Sequence, residues 1–193
     1  ASLGRRCLLP KDVLGHGAIH LPDIGGIAIC GQMAGISTIG TDWRATTPYD
    51  SWLDMRCASQ VPRLKTCEQQ ILEFSGGPVC ANHAAKWLYW REHRPETYRQ
   101  IRKIIMPAAY VAGRMAQLHS DDAFMDYTYL GFNSFADSRA MRWNASLIAQ
   151  FKLDADLLPN LVKPSDRIGS VSASAASACG LLAGTPIFAG CGD

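Results

Sequence analysis

Thr185-Pro186-Ile187-Phe188-Ala189-Gly190-Cys191-Gly192-Asp193 is the stretch on which the reading of the whole chain turns. Its apolar first half has the character of a buried β-strand, and its second half is a glycine turn that ends on a carboxylate. Glycines on both sides of Cys191 permit backbone torsions that other residues avoid, and they keep bulk away from an approaching group. A carboxylate at the mouth of such a turn can take a proton from a bound hydroxyl. A plain strand-ending turn would produce the same short motif, so on these residues alone both readings stand.

Working back from this stretch, strands and helices alternate. Ile168 to Val171 has strand character, Ala173 to Cys179 has small-residue helix character, and Gly180 is placed to stop that helix. Asn144 is a candidate cap for a helix running to about Phe151. Asp126 to Phe135 is aromatic and hydroxyl-rich, which fits strand or loop. Ala108 to Met115 suggests a helix, Ile101 to Met106 a strand, and Asn82 to about His93 a helix with Ala84, Ala85, Trp87, Leu88 and Trp90 on its apolar side. A helix is expected from about Arg56 to Phe74, interrupted at Pro62. Ile24 to Cys30 reads as a core strand, Gly31 to Gly35 breaks it, and Ile36 to Ile39 resumes strand character before a turn at Gly40-Thr41-Asp42. Residues 1 to 23 read as irregular. The alternation points to the α/β class.

Composition narrows the function classes. With 193 residues, 48% hydrophobic and 19% charged, the chain can bury the core of one domain. A net charge of +2 with scattered Lys and Arg gives no basic stripe for nucleic acid. No apolar run reaches membrane-spanning length, and no signal peptide opens the sequence. The seven cysteines include no Cys-x-x-Cys, so reduced thiols in a cytoplasmic protein fit better than a disulfide framework or zinc site. His83, His93 and His119 lack metal-ligand spacing, and no metal site is expected. The first residue is Ala1 and the last stands on a strand-turn, which suggests a fragment.

Six segments in order resemble the FGGY family of carbohydrate kinases. They are Ile27-Ala-Ile-Cys-Gly-Gln-Met33; Trp52-Leu-Asp-Met-Arg56; Ala85-Lys86-Trp87-Leu88-Tyr89-Trp90 with Arg94-Pro95-Glu96; Asp126-Tyr127-Thr128; Arg142-Trp143 with Leu157-Leu158-Pro159; and Ile168-Gly169 through Gly190-Cys-Gly-Asp193. Gln32 lies 161 residues before Asp193 (193 − 32), about the separation the resemblance requires.

This resemblance implies a partial sugar-binding domain over residues 1–193, with the ribonuclease H-like α/β fold of actin and hexokinase. It implies phosphorylation of a sugar or polyol hydroxyl with ATP and Mg²⁺, whose main binding elements belong to an upstream phosphate loop and a C-terminal domain outside this chain. Asp193 stands where the family has its catalytic base, and Gln32, Met33 and Ala34 stand where it contacts the sugar. The chain alone is not expected to be an active kinase, and a homodimer is allowed. Many xylulokinase-like members carry histidine where this chain has Ala34, which removes a polar contact. The competing reading is a kinase-derived module that binds sugar or protein without catalysis. Lys86 is expected to have a solvated tip, Asp54 and Arg56 to pair with each other, and Trp87, Tyr89 and Trp90 to serve packing. Asp126 is expected to be structural.

Overall fold

A computed structural model describes residues 20–193, so the irregular reading of residues 1–19, and Cys7 within them, lie outside the described residues. Nine short strands form four small sheets among the described residues. They are β1 (Ile27–Ala28), β2 (Ser37–Ile39), β3 (Lys103–Ile105), β4 (Phe124–Asp126), β5 (Ala136–Asp137), β6 (Arg142–Trp143), β7 (Asn160–Val162), β8 (Arg167–Ser170) and β9 (Pro186–Phe188). The sheet that matters for the site has the order β1-β9-β8, with β1 parallel and β8 antiparallel to β9. Elsewhere β2 pairs antiparallel with β3, β4 parallel with β7, and β5 antiparallel with β6.

Helix boundaries follow local chemistry. Ser172 Oγ accepts a hydrogen bond from Ala175 N at 3.2 Å to start the helix Ala173–Cys179, and Gly180 at φ 82° ends it. Asn144 caps Ala145–Gln150 by accepting from Leu147 N at 3.1 Å. Pro107 opens the helix Pro107–Ala116, where its missing N–H costs nothing. The expected single helix after Arg56 divides into a 3₁₀ turn Arg56–Gln60 and helices Val61–Lys65 and Glu68–Ser75, with Pro62 in the first turn of the second piece. Asp126 to Phe135 resolves into the end of β4 and a 3₁₀ stretch, Tyr127–Phe132.

Two apolar clusters hold these elements together. The first surrounds the helix His83–His93, where Trp87 stacks on Phe135 with ring centroids 5.7 Å apart and Phe135 tilts against Phe151 at 5.4 Å. Such aromatic pairs add to what burial alone contributes. The second lies beneath the β1-β9-β8 sheet and includes Ile105, Ala109, Ala112, Phe124, Val171, Ile187 and Ala189. Ala109 and Ala112 give the helix Pro107–Ala116 a small-residue face within it, and that helix packs against β8 and the helix Ala173–Cys179.

Two expectations need correction. The Ile24 to Cys30 run is not a buried core strand: Ala28 and Cys30 are exposed and Ile27 and Ile29 are only half-buried. The physical reason is position, since β1 is an edge of its sheet among the described residues and pairs there with β9 alone. Lys86, read as a surface lysine, is buried at 2% exposure. Its Nζ donates to the Asp54 carbonyl at 2.7 Å, and that bond compensates for leaving water.

Candidate functional site

Gly190 sets the geometry. Its φ is +73°, and a Cβ there would stand 2.2 Å from the Ile29 carbonyl oxygen, so only glycine fits. The pairing between β1 and β9 matches Ala28 with Phe188, an offset of 160 residues, whereas beyond Gly190 it matches Gly31 with Gly192, an offset of 161. Gly190 therefore inserts one residue into the second strand and re-aims everything after it.

Past this insertion the two loops are laced together. Gly31 N donates to the Cys191 carbonyl at 3.2 Å, and Asp193 N donates to the Gly31 carbonyl at 3.1 Å. The Gly31 carbonyl also accepts from the Tyr129 hydroxyl at 3.0 Å. Met33 N donates to Asp193 Oδ1 at 3.0 Å, which orients the carboxylate across the mouth of the Gly31–Gly35 loop. Gly192 needs its small size for close approach: a Cβ would meet the Met33 side chain at 2.7 Å.

Behind the turn, Gly192 N donates to Thr128 Oγ1 at 2.8 Å. The Thr128 hydroxyl in turn donates to Asp126 Oδ1, which also accepts from Thr128 N at 2.9 Å. Asp126 thus caps its 3₁₀ stretch, the structural role expected of it, and through Thr128 it also supports the turn that carries Asp193.

Of the predicted site residues, Met33 meets Asp193 directly, and Gln32 and Ala34 flank Met33 in the same loop. Gln32 Oε1 accepts from the Tyr49 hydroxyl. Ala34 adopts φ +58°, a left-handed conformation unusual for alanine. Burial, then the charges of Asp193 and Asp50, push the Tyr49 phenol up. Burial, then the charges of Asp126 and Asp193, do the same more strongly for Tyr129. Both phenols therefore remain protonated donors at neutral pH.

Alongside lies a charged network that spacing revealed only in part. The expected Asp54–Arg56 pair forms, with Arg56 Nε 2.9 Å from Asp54 Oδ2. Arg56 Nη2 also reaches the buried Asp50 at 2.5 Å, and Trp90 Nε1 donates to that same carboxylate. Burial holds the Asp50 carboxyl above its ordinary value, and the Trp90 hydrogen bond and Arg56 charge offset that only in part. Tyr49, Asp50, Thr128 and Tyr129 were not found as site residues from sequence. Asp126-Tyr127-Thr128 carried a signal, as one of the matched segments, but nothing in its spacing gave it a position beside Gly192.

The family model of the FGGY family of carbohydrate kinases, N-terminal domain, matches residues 9–193. The chain belongs to this family. Relatives include the xylulose kinase of Escherichia coli strain K12, 28% identical over 174 residues that cover 90% of this chain and 35% of the relative. An autoinducer-2 kinase of Klebsiella pneumoniae is 26% identical over 192 residues, covering 97% of this chain and 35% of its own length. Among solved structures, the ligand-bound xylulose kinase of Lactobacillus acidophilus superposes with a TM-score of 0.81 at 22% identity, over 94% of this chain and 36% of that one. Glycerol kinase of Plasmodium falciparum does so with a TM-score of 0.75 at 17% identity, over 87% and 34%.

The fold is accordingly the ribonuclease H-like α/β fold of the actin and hexokinase type. The chain spans about a third of the length of these relatives. Among the described residues no three His, Cys, Asp or Glu side chains converge as a cation site. Asp193 is a single carboxylate already receiving an N–H, so these residues do not fit Mg²⁺ by themselves. No helix among the described residues is long and apolar enough to cross a membrane.

Proposed function

We propose that this chain is the sugar-binding half of an ATP-dependent carbohydrate kinase, with Asp193 as the general base. The observation that carries the reading is the Met33 N to Asp193 Oδ1 hydrogen bond, which joins two matched motifs 160 residues apart. It fixes one carboxylate oxygen and leaves Oδ2 to take the proton of an acceptor hydroxyl. Phosphoryl transfer asks mainly for positioning, plus a base for that one proton. Gln32 and Met33 flank the hydroxyl-bearing substrate, and Ala34 presents only a methyl group. A small sugar or polyol is the substrate class. The reading puts the protein in the cytoplasm and assigns ATP, with its Mg²⁺, chiefly to a further domain of the longer protein, so the 193 residues alone would not turn over.

The test is Asp193→Asn in the full-length protein, because asparagine keeps an oxygen for the Met33 N–H but cannot accept the proton. With an ATP-coupled assay over ketoses and polyols, kcat is expected to fall by about 10²–10⁴-fold. Sugar affinity, measured by calorimetry, should stay within a few fold. Undiminished kcat would overturn the base assignment. Sugar binding with no turnover in the unmutated protein would leave a non-catalytic sugar-binding module instead.

A further inference from the structure

The one-residue insertion at Gly190 has a second effect, on two cysteines. Under the offset that holds at Ala28 and Phe188, Cys30 would face Gly190; under the offset that holds at Gly31 and Gly192, it faces Cys191. The two thiols lie with Sγ atoms 3.4 Å apart, Cys30 exposed and Cys191 half-buried. Neighbouring strands run about 4.7–4.9 Å apart, within the Cα separation that a disulfide spans. Reaching the roughly 2.05 Å of an S–S bond means closing the Sγ–Sγ gap by about 1.4 Å. No other pair of cysteine sulfurs among the described residues stands in hydrogen-bond contact.

We propose that Cys30 and Cys191 form a site of reversible thiol oxidation, a disulfide clasp across the two strands that deliver Gln32-Met33 and Asp193. The oxidant class is a hydroperoxide. One thiolate attacks a peroxide oxygen, the O–O bond breaks, and a sulfenic acid forms as water or alcohol leaves. The second sulfur then attacks the sulfenic sulfur, the S–O bond breaks, and a second water departs, so that two thiols and one peroxide give one disulfide and two hydroxyl products. A small dithiol reverses the step by exchange. Because Cys191 shares a hydrogen with Cys30, which holds its thiol up, the reaction should quicken as pH rises.

The clasp would tie Cys30 to Cys191 covalently, beside the backbone hydrogen bonds that join Gly31 to Cys191 and Asp193. It does not depend on the kinase reading, since its evidence is the pairing of the two thiols.

The full-length protein, freshly reduced, is exposed to a slight excess of hydrogen peroxide under native conditions, alkylated and digested for mass spectrometry. The expected result is a cross-linked pair of peptides lighter by two hydrogen atoms than their sum, with fragmentation placing the bridge on Cys30 and Cys191. Both residues should disappear from the alkylated fraction and return after dithiothreitol. Cys30→Ser and Cys191→Ser should each abolish the bridge and leave the remaining cysteine as a trappable sulfenic acid. Continued alkylation of both cysteines in the treated protein would overturn the proposal, as would bridging of either one to Cys67, Cys80 or Cys179.

Discussion

The helix His83–His93 and the β1-β9 junction differ in what holds them. Around the helix, large rings interlock: Trp87 is 1% exposed and lies between Phe135 and Trp143. At the junction the contacts are backbone amides, a threonine hydroxyl and glycines, beside an exposed edge strand. One region is stabilised by area removed from water, the other by hydrogen bonds that fix direction. A core fails gradually as side chains shrink, whereas a backbone junction depends on torsions and loses its geometry at one wrong Cβ.

Substitutions can break or sharpen that contrast. Trp87→Ala should have the largest effect on stability, costing about 3–5 kcal/mol in denaturant unfolding, because it leaves a cavity among rings that cannot collapse to fill it. The Met33–Asp193 geometry should survive in whatever fraction remains folded. Unchanged stability would remove the helix from the centre of the core.

His83, fully buried in the same helix, should make that region acid-sensitive. Burial, then the neighbouring Lys86 charge, depress its pKa from 6.5 to about 3, and neither ring nitrogen has a hydrogen-bond partner. The unfolded chain therefore binds a proton that the folded one refuses. Stability is fully present above about pH 6.5 and is lost as pH falls toward 3. At about pH 4.5 the loss should be roughly 2–3 kcal/mol, which His83→Leu should remove. Equal pH slopes for the two proteins, compared by urea denaturation, would contradict this account.

Gly190→Ala should cost about 2 kcal/mol, through its left-handed torsion and the approach to Ile29. Unlike Trp87→Ala, it should also misplace Asp193, so sugar affinity and stability would fall together. The smallest effect belongs to Ala34→Gly, which relieves φ +58° but loosens the unfolded chain. A net gain of about 0.5–1 kcal/mol is expected by thermal melting. A loss would mean that the alanine methyl makes a contact worth more than the strain.

The two regions were also unequally legible in the sequence. The helix was readable because Ala84, Ala85, Trp87, Leu88 and Trp90 repeat at helical spacing, and Asn82 stands at its start. The helix Ala173–Cys179 and its Gly180 stop were readable for the same local reason. Ile24 to Cys30 misled because apolar content marks a strand without saying which sheet edge it occupies. Lys86 misled because its partner, the Asp54 carbonyl, is 32 residues away and has no side-chain signature.

By itself the sequence determined the α/β alternation, the glycine turn ending on Asp193, and the order of motifs that marks the FGGY family. These depend on local propensity and residue identity, which a linear chain carries. Only the tertiary structure decided that Asp193 faces Met33, that Thr128 and Asp126 support the turn, and that Cys30 meets Cys191. Those contacts span 64 to 161 residues and hinge on a one-residue register shift at Gly190. Register is a property of two strands together, so neither strand's sequence could state it alone.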